Sequence, residues 1–202
     1  LEPETKNLTL EFLSPTSWLQ ETRGGSMQFT ESSLIPGLKT IQPPVFHDYR
    51  GEYIETFNEG RYSFTDRHGR PIRFVEDDVS ISRNHVLRGL HGDEKTWKLI
   101  QCLLGEIYVV VVDMRSDSPA YLRWESFDLN EKNRMQLLIP AGCANGHLCL
   151  SERCIFSYKQ SEYYGGTENQ FTVRWDDPKL EIWWPIRNPI LSRRDATAPF
   201  LP

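Results

Sequence analysis

Residues 99–104 and 107–114, L-I-Q-C-L-L and I-Y-V-V-V-V-D-M, are two nearly unbroken apolar runs held apart by Gly105 and Glu106. Each is too short for a typical buried helix and is rich in β-branched residues, which suit a pleated sheet better than a helical surface. Two such runs around a glycine-containing dipeptide predict a hairpin of buried strands. A chain with that pair at its centre must bury both faces of a sheet.

The flanking sequence repeats the theme. Residues 41–46 contain two prolines and suit an edge segment. Arg50-Gly51 opens the alternating run E-Y-I-E-T-F, in which Tyr53 and Glu55 share a face. Residues 59–71 are charged, carry glycine and proline, and read as a loop. Strands are predicted over 74–82, 124–129, 135–139, 147–150, 154–159 and 171–175, with Pro140-Ala141-Gly142 as a turn. No long amphipathic helix interrupts them, and no fixed-period repeat appears. Many short strands at close spacing mean an all-β sandwich or barrel. The tail W-W-P-I-R-N-P-I-L-S-R-R-D is expected to wrap that body and to end in a short helical or irregular segment. Residues 1–26, ending in R-G-G-S, have little pattern and read as an extension or linker. Residues 27–202 read as a single domain.

Composition narrows the function. Lys and Arg total 23 against 28 Asp and Glu, a net charge of -5. That opposes bulk nucleic-acid binding while leaving room for a local basic pocket. No apolar run has the length of a membrane span, and the first residues carry no secretion-signal pattern, so a cytoplasmic protein without a membrane partner is expected. Cys102, Cys143, Cys149 and Cys154 lack C-x-x-C spacing and are expected to be reduced thiols.

The densest chemistry lies in N-H-V-L-R-G-L-H-G-D-E-K-T-W-K, residues 84–98. If Val86, Leu87 and Leu90 face a core, the polar groups point the other way. Arg88, His91 and Lys98 then give a fixed cation, a group titrating near neutrality and a second cation. Such a trio suits an anionic substrate that must lose a proton. His91 is the natural base, and Asp177 or Asp176 of W-D-D-P is the candidate to orient its ring. Tyr158 is placed to donate a phenolic proton from the opposite side, and Tyr163 and Tyr164 to stack on a base. Lys98 would steady an enolate oxygen, and Arg50 and Arg88 would fork onto a diphosphate.

A double-stranded β-helix barrel often holds a metal between a His-x-His pair and a later turn histidine. Here the pair reads His91-Gly92-Asp93. In P-A-G-C-A-N-G-H the turn position is Asn145, with His147 expected on the opposite face. The minimum ligand set is missing, so a metal-free pocket is expected. With no Gly-rich dinucleotide fingerprint, no cofactor is expected either.

The signatures D-Y-R-G-E-Y-I-E, S-x-S-R-N-H-V-L-R-G-L-H, K-L-I-Q-C-L-L-G-E-I-Y-V-V-V-V-D-M-R-S-D-S-P, N-x-x-Q-L-L-I-P-A-G, Y-K-Q-S-E-Y-Y and R-W-D-D-P run in order over nearly the whole chain. On these residues the chain from about Met27 to Asp195 resembles the dTDP-4-dehydrorhamnose 3,5-epimerases, deoxysugar epimerases of the cupin superfamily. The resemblance implies a cupin-type jelly-roll β-barrel (a double-stranded β-helix) that forms homodimers. It implies His91 as base, Asp177 as the carboxylate paired with it, Tyr158 as general acid and Lys98 beside the keto oxygen. It also implies Arg50 and Arg88 at the diphosphate and Tyr164 near the base, with Tyr53, Glu55 and Asn145 among the substrate-binding side chains.

Three segments depart from the family pattern. Gly92-Asp93 replaces Tyr-Gln, Asn145 replaces a pocket histidine, and Glu76-Asp77-Asp78 replaces Gln-Asp-Asn. R-G-L-H-G-D with N-G-H looks more like the branch acting on nucleotide-linked 4-keto heptoses, including the GDP-heptose epimerases of capsule synthesis. The implied reaction inverts carbon 3, carbon 5 or both in a nucleotide-diphosphate 4-keto sugar, GDP-4-keto-heptose or dTDP-4-keto-6-deoxyhexose, in capsule, O-antigen or deoxysugar synthesis. A non-catalytic sugar-nucleotide-binding cupin or a keto-sugar isomerase would use the same body.

Overall fold

The computed structural model describes residues 26–202; apart from Ser26, the expected extension over residues 1–26 lies outside them. Along the described chain come β1 (Gln28–Glu31), β2 (Lys39–Gln42), β3 (Val45–Asp48), β4 (Gly51–Ile54), β5 (Phe64–Thr65), β6 (Pro71–Ile72), β7 (Glu76–Arg83) and β8 (Leu87–Gly92). They are followed by β9 (Lys98–Leu104), β10 (Glu106–Asp113), β11 (Trp124–Asn130), β12 (Gln136–Ile139), β13 (Cys143–Cys149), β14 (Arg153–Gln160), β15 (Phe171–Thr172) and a last short helix, α1 (Arg193–Ala196). A six-stranded sheet has the order β1-β2-β12-β9-β14-β7, and a five-stranded sheet the order β11-β10-β13-β8-β15. This is the all-β body that the strand spacing predicts and the jelly roll that the resemblance implies, in the form of two facing sheets and not of a closed barrel. The segment read as a loop over 59–71 holds a small ribbon of its own, β5 with β6.

The predicted hairpin does not form. β9 pairs with β12 and β14, while β10 pairs with β11 and β13. The chain leaves one sheet at Leu104 and enters the other at Glu106. Gly105 makes the passage with φ +78, and a Cβ there would lie 2.3 Å from the Arg153 carbonyl oxygen and the Ser151 hydroxyl. Each run is apolar on both faces, so each needs hydrogen-bonded neighbours on both edges and cover above and below, which the two sheets supply.

β10 makes this explicit. Ile107, Val109 and Val111 point between the sheets, where they meet Ile100, Leu137, Ile139, Cys149 and Phe156. Tyr108, Val110 and Val112 point outward, with Leu87, Leu90, Ala144 and Leu148. That outer face is covered by the C-terminal segment, whose Trp175, Trp184, Ile186 and Leu191 pack on it. The indoles of Trp124 and Trp184 donate to the carbonyls of Leu180 and Trp175, which pins the wrap in place. The tail therefore wraps the body as its sequence predicts. On the other side, Tyr62 and Phe64 cover Ile41, Leu99 and Leu138. The four cysteines are buried free thiols.

β8 and β13 approach closely because both carry glycine where they meet. A Cβ on Gly89, whose φ is +128, would lie 2.5 Å from Gly146 Cα and 2.8 Å from the Asn145 carbonyl oxygen. We expect Gly89→Ala to lower stability by about 2 kcal/mol or more, from left-handed backbone strain and overpacking together, read as a fall in the thermal unfolding midpoint.

Candidate active site

Between the two sheets lies a cavity of about 560 Å³ whose lining includes His91, Lys98, Asn145, His147, Tyr158 and Asp195. The sheets contribute from opposite sides. His91 and Asn145 come from β8 and β13 of the five-stranded sheet, Lys98 and Tyr158 from β9 and β14 of the six-stranded one. Leu87 and Leu90 are turned into the outer core. The register shift where β8 meets β13, beside Gly89 with its φ of +128, breaks strict alternation, so that Arg88 and His91, three residues apart, both reach the cavity, the face the sequence predicts for them.

The carboxylate against His91 is not the expected one. Asp195 Oδ1 lies 2.6 Å from His91 Nε2, and Asp195 is only 2% exposed. Asp177 is buried elsewhere: its carboxylate accepts from the backbone N–H groups of Lys179 and Leu201 and so anchors the C-terminal segment. Asp176 pairs with Arg174. Burial pushes the Asp195 carboxyl up, but His91, the Ser192 hydroxyl and the Gly89 N–H outweigh it and hold the group below the usual carboxylate range. Asp195 reaches the site because Ser192 caps α1, its hydroxyl accepting from the Asp195 N–H at 3.1 Å. The one sequence signal for this was the polar S-R-R-D after an apolar run, a helix-start pattern.

Lys98 is 8% exposed and donates from Nζ to Asn145 Oδ1 at 3.0 Å, a bond that spans the gap between the sheets. Burial lowers its pKa to about 8, with Arg194 pressing in the same direction and Asp93 opposing. Tyr158 is shifted the other way. Burial raises its phenol first, and the carboxylates of Asp78 and Glu76 add to this, so the group is held protonated. Arg88 is aimed by its own hydrogen bonds, Nε to Ser82 Oγ at 2.9 Å and Nη2 to the Ile81 carbonyl. Tyr164, at the cavity edge, donates its backbone N–H to Glu76.

His147 corrects another expectation. It lies two residues from Asn145 on β13, so both side chains share a face, and both line the cavity. Arg50, Tyr53 and Glu55 are not brought there. Arg50 and Tyr53 sit on or beside the β3–β4 ribbon, with Arg50 paired to Asp48, while Glu55 faces Arg61 at 3.2 Å. Sequence reasoning also left out Arg194 and Gln160, which line the cavity from α1 and β14. Among the described residues no group of three or more His, Cys, Asp or Glu side chains is placed to hold a metal ion. A broader groove of about 1410 Å³ runs past Arg67, Arg70 and Arg115. Those arginines are already paired, with Asp117, Asp66 and Asp113.

What the arrangement can do is move protons on a polarised substrate: a base with a buried carboxylate behind it, a phenol on the facing sheet, and a buried ammonium beside them. Comparison with known proteins agrees. A family model described as dTDP-4-dehydrorhamnose 3,5-epimerase matches residues 32–202. The dTDP-4-dehydrorhamnose 3,5-epimerase of Salmonella typhimurium is 38% identical over 179 residues, covering 87% of this chain and 96% of that protein. A crystal structure of dTDP-6-deoxy-D-glucose-3,5-epimerase from Legionella pneumophila, in complex with dTDP-4-keto-L-rhamnose, superposes with a TM-score of 0.79 at 37% identity, over 87% of this chain and 93% of that one. A 3'-monoepimerase from Streptomyces bikiniensis, in complex with dTDP-quinovose, gives 0.77 at 29% identity, over 85% and 87%.

The Lys98 amine is expected to titrate near pH 8, followed by nitrogen-15 NMR of its Nζ, and Arg194→Gln is expected to move that midpoint upward. The sign for stability follows. The folded state binds this proton less tightly than the unfolded chain, so the Lys98 contribution to stability improves as pH rises from about 8 toward the ordinary lysine range.

Proposed function

Because this chain belongs to the dTDP-4-dehydrorhamnose 3,5-epimerase family, a family of isomerases, we propose that it inverts a carbon next to the ketone of a nucleotide-diphosphate 4-keto sugar. The ketone acidifies the hydrogens on carbons 3 and 5. His91 Nδ1, the nitrogen left free while Asp195 holds Nε2, takes one of them as a proton. Negative charge moves to the keto oxygen, beside the Lys98 ammonium, where a fixed charge in a confined site helps most. Tyr158 returns a proton to the opposite face of the carbon. The phenolate and the imidazolium then reset by exchange with water, and the sugar keeps its formula.

One observation carries this reading: the base and the phenol stand on facing sheets and line one cavity, with a buried carboxylate behind the base. Asp195 acts through His91 and is a positioning residue. Arg88 and Tyr164 are assigned to the diphosphate and the nucleobase. The dTDP-linked 4-keto-6-deoxyhexoses named for the relatives support the substrate class. The cavity residues that depart from the family pattern, Asn145 and His147, keep a GDP-linked heptose of capsule or O-antigen synthesis as the second candidate. The chemistry asks for no cofactor, and we place the protein in the cytoplasm, where nucleotide sugars are made; among the described residues no helix is long and apolar enough to cross a membrane.

We also propose a homodimer of a single domain spanning 27–202. β7 is an edge of the six-stranded sheet and exposes Val79 and Ile81 at 59% and 58%, an apolar edge that calls for a partner. In such a dimer the β3–β4 ribbon is the segment that supplies Arg50 and Tyr53 to a cavity other than their own. Sedimentation should give a dimer for the native chain and a monomer for Val79→Glu with Ile81→Glu.

Incubation with dTDP-, GDP- and CDP-linked 4-keto sugars in deuterated water should place deuterium at carbon 3 or 5 of at least one of them. Loss of acid–base catalysis in His91→Asn should slow that exchange by about 10²–10⁴-fold. Asp195→Asn should slow it too, whereas Asp177→Asn should act on thermal stability and leave the exchange rate of the folded enzyme close to normal.

A further inference from the structure

His147 has no part in the proton transfers, yet with Asp195 it is among the most thoroughly buried titratable groups of the cavity. It is 3% exposed, lines the cavity beside His91 and Arg88, and its Nε2 has no hydrogen-bond partner among the described residues. The ring stacks on Phe156 with centroids 4.1 Å apart and planes 16° from parallel, and Phe156 in turn packs on Tyr158 at 5.3 Å. Burial first, then the Arg88 and His91 charges, lower its pKa to about 3, so the imidazole is neutral under ordinary conditions.

A neutral ring held this way is an expensive choice for packing alone. A buried nitrogen without a partner costs free energy that a phenyl ring in the same slot would avoid. Such groups in a folded protein call for an explanation, and the one at hand is a ligand. The surroundings say which kind. A phosphate or carboxylate meets its cations at Arg88 and Lys98 and would oppose the imidazole lone pair. A methyl group would leave the nitrogen unpaired. A hydroxyl both donates and accepts, so it satisfies either tautomer.

We propose that His147 is a specificity-determining residue that hydrogen-bonds a hydroxyl of the sugar, so that the enzyme selects a 4-keto sugar bearing that hydroxyl over its deoxy counterpart. The inference rests on reading the cavity as the sugar pocket. Its site on β13 follows from the strand: Gly146 takes no side-chain volume between Asn145 and His147, and both face the substrate.

The test compares pairs of 4-keto sugar nucleotides that differ by one hydroxyl, at carbon 2 or at carbon 6, using deuterium wash-in to obtain kcat/KM. For one pair the native enzyme should favour the hydroxylated member by about 10- to 100-fold, the range expected when a buried polar group is left unpaired. In His147→Phe that preference should collapse, while His147→Gln should keep part of it. The thermal midpoint of His147→Phe should equal or exceed the native one, since the unpaired nitrogen is gone; should phenylalanine not be accommodated, His147→Leu carries the same comparison. Exchange by the native enzyme with unchanged preferences in His147→Phe overturns this inference alone. So does an equal loss of kcat on every substrate, which would make the ring a support for Tyr158 through Phe156. No exchange by the native enzyme in any 4-keto sugar nucleotide overturns the proposed function, and this inference with it.

Discussion

Two consecutive strands, each apolar on both faces and joined through one glycine, need neighbours on both edges and cover on both faces, and here they are the middles of two sheets. That constraint organises the molecule. β9 and β10 each take neighbours on both sides, and their facing residues make the central core. The chain passes between the sheets repeatedly, from β8 to β9, β9 to β10, β11 to β12, β12 to β13 and β13 to β14, so the cavity groups come from two walls. The His91 imidazole stands on one wall and the Tyr158 phenol on the other.

The polar groups in the gap are held by few contacts, each with a specific effect. The bond from Lys98 to Asn145 ties the walls together at the cavity and satisfies an ammonium that burial has made less basic. The Asp195 carboxylate sits behind His91 with the imidazole, the Ser192 hydroxyl and a backbone N–H as partners. Buried charge is tolerated when it is paired and hydrogen-bonded; Asp195 meets that condition with His91, whereas Lys98 has the Asn145 amide oxygen and a lowered pKa. Tyr158 differs: burial first, and then two carboxylates on the neighbouring strand, keep its proton on.

Much of this was legible in the sequence. In L-R-G-L-H the apolar and polar residue types separate core from cavity, although Arg88 and His91 share a face only through the irregularity beside Gly89, which strict alternation does not foresee. Tyr158 and Lys98 are legible through their chemistry and the family motifs Y-K-Q-S and K-L-I-Q. The errors were non-local. Which strands pair cannot be read from two apolar runs and a glycine, so Leu99–Leu104 and Ile107–Asp113 looked like a hairpin. The partner of His91 was sought in W-D-D-P, because nothing local distinguishes a carboxylate that caps backbone N–H groups from one that faces an imidazole across the fold. His147 was assigned to the wrong face by counting one residue where the strand counts two. Arg50, Tyr53 and Glu55 are grouped by their run, but that run forms a ribbon of its own away from the cavity.

The carboxylate that orients the base rides on α1, 104 positions after the histidine it serves. During synthesis on the ribosome, both walls of the cavity and the imidazole itself emerge well before that carboxylate exists. A nascent chain can therefore build both walls around an imidazole that still lacks its carboxylate, which comes only with α1. Products of translation interrupted before α1 would carry the cavity with His91 missing that contact.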